Sequence, residues 1–338
     1  MKKKILAIIL AAAMLLTLAA CASTAAPSEN QGPSAETPVS GETAEGKTYV
    51  VGICQLAQHV ALDAATQGFK DALVEELGDA VTFEEQNASG DIPTCSTICT
   101  GFAASNVDLI LANATPALQA AVSATQTIPI LGTAVTEYGV ALDIEDFNGT
   151  VGGNVSGTSD LAPLDQQAQM FLELVPDAKT VGILYCSAEP NSVYQSDVVK
   201  QYLENAGLTV NVYTFADSND VSTVTATACA ECDALYIPTD NTAASCTEAI
   251  NNVAEPAGIP IVTGEEGLCK GCGIATLSIS YYDLGVTTGK MAAKILTGEA
   301  DISEMPIEYF QNPVKKYAAE RCAALGIEIP SDYVAIEG

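Results

Sequence analysis

One order of elements runs twice through this chain, and that duplication limits the fold more than any other feature. The stretch Val107-Asp-Leu-Ile-Leu-Ala-Asn-Ala-Thr-Pro-Ala117 has an echo in Cys232-Asp-Ala-Leu-Tyr-Ile-Pro-Thr-Asp-Asn-Thr242. Each is a short apolar run after an acidic residue, ending in a polar turn that opens a helix. Each is followed by Ile-Pro-Ile, at Ile128–Ile130 and Ile259–Ile261, and preceded by Val-Gly-Ile, at Val51–Ile53 and Val181–Ile183. The spacing between copies is 125 to 131 residues. Two similar α/β lobes whose polar turns face one another form a clamp for a ligand.

The rest of the chain agrees with two cored lobes. At 338 residues and 48% apolar composition it exceeds what one ordinary core accommodates. Its formal charge of −29 argues against a nucleic-acid partner, because phosphate binding needs a basic face.

The N-terminus reads as an export signal over residues 1–20. Lys2-Lys3-Lys4 precede an apolar run from Ile5 to Ala20 that is too short for a confident membrane span. The run ends Leu18-Ala19-Ala20-Cys21, which resembles the bacterial lipobox; by that resemblance Cys21 is diacylated and becomes the mature N-terminus. Two acyl chains anchor firmly, since each buried CH₂ contributes about 0.8 kcal/mol. Residues 21–47 are small and polar and form a flexible linker, too poor in apolar side chains to fold. No stretch of the mature chain is expected to span a membrane.

The alternation of strand and helix patterns predicts mostly parallel sheets covered on both faces, hence two Rossmann-like lobes joined by a hinge. Thr48–Cys54 reads as the first strand, Gln55–Asp63 as the turn after it and Ala64–Leu77 as a helix with Ala65, Phe69, Leu73 and Leu77 on one face. Thr115 fits a helix N-cap, with Pro116 in the first helical position. Ile128–Leu131 reads as a strand, and the Gly-, Asn- and Ser-rich Asn148–Asp160 as the first crossing between lobes. In the second lobe Thr242–Glu255 reads as one helix, and the tail as a helix near Val314–Leu325.

Ligands of parallel α/β sheets bind beyond the carboxyl ends of the strands. Those ends, among them Gln55–Asp63, Asn113–Ala117, Cys186–Ser192 and Gly264–Glu266, are rich in small polar and acidic residues. The helix opened by Thr115 offers free backbone N–H groups and about half a positive charge, a seat for a carboxylate. Asp240, Glu265 and Glu266 offer negative charge to an ammonium, so the set suits a zwitterion such as an amino acid. The competing reading is that Thr115 and Asp240 only cap helices. His59 is the only histidine and lies in the first strand-end loop.

Enzyme signatures are weak or absent. There is no Gly-x-Gly-x-x-Gly, no phosphate-binding Gly-x4-Gly-Lys and no Gly-x-Ser-x-Gly, and one histidine leaves little room for acid–base work. Carboxylate pairs such as Glu84-Glu85 and Glu265-Glu266 keep acid–base chemistry on sugars open. The eleven cysteines include Cys229-x-x-Cys232 and Cys269-x-x-Cys272, which have metal-ligand spacing but no supporting aromatic or basic fingerprint. No metal and no cofactor is expected.

The residues also resemble a known family. Val51-Gly-Ile-Cys-Gln55, His59-Val-Ala-Leu-Asp63 and Gln67-Gly-Phe69 are similar to the start of substrate-binding lipoproteins of ABC importers, as are Gln86-Asn87-Ala88-x-Gly90-Asp91 and Ala114-Thr-Pro-Ala117. The similarity continues through Asn191-Ser192, Pro238-Thr-Asp-Asn241, Gly264-Glu-Glu266 and Tyr282-x2-Gly285-x3-Gly289-x-Met291, and covers nearly all of residues 48–327. It implies the type I periplasmic-binding-protein fold with three crossings, lobe one being 48–160 plus about 282–304 and lobe two 161–281 plus about 305–338. Some members of that family resemble tryptophan- or phenylalanine-binding proteins, which implies an aromatic amino acid as ligand. By motif position the cleft residues are Gln55, His59, Leu62, Asp63, Thr115, Ala117, Thr136, Asn191, Ser192, Asp240, Asn241 and Glu265. The Cys-rich Gly267–Gly273 departs from the pattern beside that cleft. The chain has no Trp, so aromatic stacking falls to Tyr, Phe or His.

The expectation is a monomeric, lipid-anchored solute receptor on the extracytoplasmic face of a bacterial membrane. It would deliver an amino acid to ABC permease subunits driven by ATPases, and would not be an enzyme. A ligand-sensing module without transport, and a lipoprotein enzyme acting on a peptide or sugar, are the alternatives.

Overall fold

The computed structural model describes residues 47–337. The export signal, Cys21 and nearly all of the linker lie outside the described residues. No described helix is long and apolar enough to cross a membrane.

Lobe one runs β1 (Tyr49–Gln55), α1 (Val60–Leu77), β2 (Val81–Asn87), α2 (Ile92–Ser105), β3 (Leu109–Asn113), α3 (Thr115–Ala124), β4 (Ile130–Val135), α4 (Tyr138–Leu142) and β5 (Val155–Ser159). Lobe two runs α5 (Leu164–Leu174), β6 (Thr180–Cys186), α6 (Pro190–Asn205), β7 (Thr209–Phe215), α7 (Val221–Glu231), β8 (Ala234–Ile237), α8 (Asn241–Ser245), α9 (Thr247–Ala257), β9 (Ile261–Thr263), α10 (Glu266–Gly271) and β10 (Ala275–Ser278). The chain then returns to lobe one through α11 (Tyr281–Thr297) and β11 (Glu308–Tyr309), and ends in lobe two with β12 (Val314–Tyr317), α12 (Ala319–Leu325) and β13 (Val334–Ala335).

The first sheet has the order β11-β5-β4-β3-β1-β2 and is parallel throughout; the second has the order β13-β12-β10-β9-β8-β6-β7, with only the β10–β12 pair antiparallel. Central strands such as Leu109–Asn113 are buried along their whole length, as sheets covered by helices on both faces require. Each sheet has an apolar cluster on either side.

The sharpest packing constraint in lobe one is between α1 and α11. A Cβ on Gly68 would sit 2.1 Å from the Tyr282 carbonyl oxygen, and one on Gly285 2.0 Å from that of Ala65. Glycine is what lets these two helix backbones touch. The Gly285-x3-Gly289 spacing puts both glycines on one face of α11, with Gly289 against Phe69 and Ala72 of α1.

Several elements differ from the sequence pattern, each for a local reason. The crossing segment Asn148–Asp160 contains β5, which forms five residues of buried strand. Its Ser, Gly and Thr residues are those a crowded strand needs: a Cβ on Gly157 would lie 2.2 Å from the Gly132 carbonyl oxygen. The hydroxyls of Ser156, Thr158 and Ser159 find partners on Met305, Thr288 and Thr136. Val314–Leu325 is not one helix; Val314–Tyr317 pairs with β10, and Lys315 and Lys316 alternate outward to Asp332 and Glu266. Thr242–Glu255 is broken at Cys246, whose φ of −122° and ψ of 20° leave the helical range. The helix expected at Ala64 begins at Val60, and β4 extends to Val135, past the expected end at Leu131. The last return to lobe two falls between Tyr309 and Val314, a few residues beyond the position near 305 taken from the pattern.

Candidate functional site in the cleft between the lobes

The three crossings carry the site's foundation. Asp160 lies in the first, between β5 and α5, and is 4% exposed. Tyr281 opens α11 immediately after the second crossing, and its hydroxyl donates to Asp160 Oδ2 at 2.8 Å. Thr136, at the end of β4, lies beside the Asp160 carboxyl and Thr239, at the end of β8, beside the Tyr281 hydroxyl, each near enough to favour the ionised form. Burial nonetheless raises the Asp160 carboxyl above its usual range. Its other oxygen, Oδ1, is buried and has no hydrogen-bond partner. A buried, unpaired carboxyl oxygen at the meeting of two lobes is costly to fold around and suited to receiving a donor.

Glu265 closes this cluster from lobe two. Its carboxylate caps α10, accepting from Gly267 N at 2.6 Å and from Leu268 N. Burial, with Glu266 and Asp160 nearby, pushes its pKa up to about 7. The far end of α10 is held by Arg321, the only arginine in the chain. Its guanidinium donates to the carbonyls of Gly273 at 2.6 Å, Cys269 at 3.1 Å and Gly271 at 3.1 Å. These are the terminal acceptors that a short helix otherwise leaves open.

A second buried network organises lobe two. Asp240 caps α8 through Ala243 N at 2.7 Å and also accepts from Cys186 N and Ser192 Oγ, each at 2.7 Å. Burial and the Glu189 carboxylate beside it push the Asp240 pKa up to about 8. Three donors already occupy this carboxylate, so it has less to offer an ammonium than Asp160. Glu189, 1% exposed, accepts from Asn241 Nδ2 at 2.7 Å and from Thr242 N and Oγ1 at 2.8 Å each. Asn191 donates to the Thr239 carbonyl at 2.9 Å, while its Oδ1 is buried without a partner.

On the lobe-one side Gln55 works within its own lobe. Its Nε2 donates to Ala57 O at 2.7 Å and Asp63 Oδ1 at 2.6 Å, and its Oε1 accepts from Thr66 at 2.7 Å. Gln55 thus shapes the strand-end turn, and Asp63 is exposed one turn into α1. Leu62 and Ala117 belong to the apolar core at 1% and 0% exposure. Thr115, 2% exposed, is the first residue of α3. That helix has no side-chain cap, and Ala114 before it holds a φ of +90°, a region alanine rarely visits. The uncapped N-terminus of α3 lies directly after the carboxyl end of β3.

The structure therefore joins Thr136 and Glu265 to a cluster around Asp160 and Tyr281, and groups Asn191, Ser192, Asp240 and Asn241 around Glu189. His59 meets the second group across the cleft, its Nε2 lying 3.2 Å from Asn241 Oδ1. Asp160, Tyr281 and Glu189 were not among the residues read from sequence. Asp160 ends the segment recognised as a crossing, and Glu189 lies in the Cys186–Ser192 strand-end loop, so position was their only signal. Two cavities flank the cleft: one of about 280 Å³ at the mouth, lined by Ala57, Ser89, Asn241 and Cys246, and one of about 680 Å³ beside α1 and α10, lined by Val60, Glu265, Tyr281 and Phe310. Among the described residues no three His, Cys, Asp or Glu side chains are placed to hold a metal, the Cys229/Cys232 and Cys269/Cys272 pairs included.

The family model described as ABC transporter substrate binding protein matches residues 50–333. The chain belongs to that family. A tyrosine-binding protein of Clostridioides difficile (strain R20291) is 35% identical over 312 residues, covering 90% of this chain and 87% of the relative. A Streptococcus pneumoniae ABC domain in complex with L-Trp superposes with a TM-score of 0.80 at 32% identity, covering 84% of this chain and 97% of that one. The ligand-free, open structure of a Clostridium difficile substrate-binding protein with adhesive properties has a TM-score of 0.64 at 36% identity, covering 86% of this chain and all (100%) of that one. The more identical of the two structures superposes less well, so divergence in sequence does not explain the gap. This substrate-binding protein superposes better on the L-Trp complex than on the ligand-free, open form. The fold is the two-lobed α/β type I periplasmic-binding-protein fold.

Proposed function

We propose that this protein is the extracytoplasmic receptor of an ABC importer for an aromatic amino acid, held at the membrane by a lipid on Cys21. One observation carries the ligand class: the buried Asp160 Oδ1, unpartnered among the crossings where both lobes meet. An α-ammonium supplies the donor that oxygen lacks, and its charge offsets the cost of ionising a buried carboxyl. The carboxylate sits at the uncapped N-terminus of α3, where Thr115 offers its backbone N–H and hydroxyl. Of the residues expected from sequence, Thr115, Thr136 and Glu265 then lie nearest the ligand. Gln55, Leu62, Ala117, Ser192 and Asp240 support the walls, and His59, Asn191 and Asn241 line the lobe-to-lobe contact. Relatives that bind tyrosine and L-Trp support the aromatic side chain.

The protein acts by closing its lobes on the ligand and presenting both to permease subunits as a monomer; it turns nothing over. Thermal unfolding against the twenty amino acids, sugars and nucleosides tests this reading. A ligand at about 100 times its Kd adds roughly 2.7 kcal/mol. Stabilisation by L-tyrosine, L-tryptophan or L-phenylalanine is expected. Stabilisation only by a sugar or nucleoside would overturn the zwitterion seat.

A further inference from the structure

Among the described residues, three strand-end side chains around the cleft keep a buried oxygen with no hydrogen-bond partner. Two are on the side of lobe one: Asn113 Oδ1, at the end of β3, and Asp160 Oδ1, in the first crossing. The third, Asn191 Oδ1, belongs to lobe two, in the first turn of α6, and its residue is 4% exposed. An amide can be turned end for end, but this one is fixed. Its Nδ2 donates to the Thr239 carbonyl at 2.9 Å. A backbone carbonyl only accepts, so the nitrogen stays on that side and Oδ1 takes the other. Gln195 holds the same corner, its Nε2 donating to the Asn191 carbonyl at 3.0 Å and the Thr239 carbonyl at 3.2 Å. Thr239 also adjoins the ammonium seat. It lies beside the Tyr281 hydroxyl that binds Asp160, and a Cβ on Gly264, one residue before Glu265, would sit 2.4 Å from its N. Asn191 is thereby joined to the cluster that carries Asp160 and Glu265.

We infer that Asn191 Oδ1 receives an N–H or O–H carried by the ligand's aromatic ring, so that the cleft takes tyrosine and tryptophan and rejects phenylalanine. The inference rests on the amino-acid reading above and names the side-chain class that the same site accepts. With the carboxylate at the start of α3 and the ammonium on Asp160, both charged ends are held from lobe one and the first crossing. The side chain is what remains for lobe two to cover, and Asn191 Oδ1 is the orphan acceptor among that lobe's cleft residues. A bare phenyl ring leaves this oxygen buried and unpaired, which costs the full desolvation of the group. A phenol or an indole supplies the donor. A site that hydrogen-bonds a polar substrate group rejects the analogue lacking it far more strongly than an apolar pocket rejects a small change of size.

Calorimetric titration with two matched pairs and L-phenylalanine tests this, in wild-type protein and in Asn191→Leu. The pairs are L-tyrosine with para-fluoro-L-phenylalanine, and L-tryptophan with benzothienyl-L-alanine. In each pair the rings have nearly the same shape and only the first carries a donor. Wild-type protein is expected to bind the donor member of a pair at least about a hundredfold more tightly than its partner, and L-phenylalanine as weakly as the partners. Leucine matches asparagine in shape and has no acceptor, and Gln195 still serves the Thr239 carbonyl in that variant. In Asn191→Leu the gap within each pair is expected to shrink to severalfold, with the loss falling on L-tyrosine and L-tryptophan. A variant damaged only in its packing loses affinity for all five ligands alike. That uniform loss, or equal binding within the pairs by wild-type protein, would overturn the assignment and leave the amino-acid reading standing. Should Asn191→Leu not fold, the wild-type pairs decide alone. Binding of none of the five by wild-type protein would overturn the amino-acid reading and this assignment with it.

Discussion

The hydroxyl of Tyr281 donates to Asp160 Oδ2 at 2.8 Å, and through that bond the first and second crossings between the lobes are tied together. The bond spans 121 residues of sequence and is fully buried. It holds one oxygen of the carboxyl and leaves the other, Oδ1, without a partner. Burial, with Asp160 and Glu265 close by, raises the Tyr281 phenol well above its usual value, so it stays a donor at any working pH.

Asp160→Asn tests the ligand-facing oxygen. Asparagine keeps an acceptor for Tyr281 and removes the charge. Affinity for L-tyrosine or L-tryptophan is expected to fall at least tenfold, about 1.4 kcal/mol or more, with little loss of thermal stability. Calorimetric titration beside a melting curve separates the two effects. Unchanged affinity would take the ammonium away from Asp160.

Stability without ligand should depend on pH in an unusual direction. The carboxyls of Asp240 and Glu265 have pKa values raised to about 8 and about 7, against ordinary values near 4. The folded protein therefore binds protons more tightly than the unfolded chain between those limits. The stability tied to these groups is full below about pH 4 and is lost as pH rises toward neutrality and through the folded values. Melting temperature is expected to decline from mildly acidic to mildly alkaline pH, and Asp240→Asn should flatten the upper part of that decline. A melting temperature that rises over the same range in both proteins would contradict this.

The α1–α11 contact predicts a large effect from a single methyl group. Gly285→Ala places a Cβ 2.0 Å from the Ala65 carbonyl oxygen, which backbone cannot easily yield. A loss of about 1–3 kcal/mol is expected from urea unfolding. Gly101→Ala, where a Cβ meets nothing within 4 Å and the position is helical, is the contrasting control with an expected gain or no change.

Arg321 should matter beyond its charge. Lysine in its place keeps the positive charge but cannot reach the three carbonyls of the α10 turn together. Arg321→Lys is expected to speed hydrogen exchange over residues 266–273 and to weaken amino-acid binding through the Glu265 end of the same helix. Exchange unchanged in that segment would show that α10 holds itself.

Much of the fold could be read from the chain because its apolar runs and polar turns repeat in order, and buried parallel strands leave that mark clearly. The strand β5 could not, since a strand pressed against Gly132 needs the Ser, Gly and Thr residues that otherwise mark loops. Val314–Tyr317 was hidden for another reason: its partner β10 lies some forty residues earlier, and a four-residue strand leaves little local pattern. Thr136 and Glu265 were legible as strand-end residues. The roles of Asp160, Tyr281 and Glu189 were not, because each arises only when crossings or loops far apart in sequence are brought together.

The measurement that bears most directly on the clamp as a zwitterion receptor is calorimetric titration with L-tyrosine, N-acetyl-L-tyrosine and L-tyrosine amide. Asp160 is assigned the ammonium and the start of α3 the carboxylate. L-tyrosine is therefore expected to bind, and each blocked form to lose at least about a hundredfold in affinity, since each leaves one buried seat unpaired. Equal binding of N-acetyl-L-tyrosine would contradict the account at its centre.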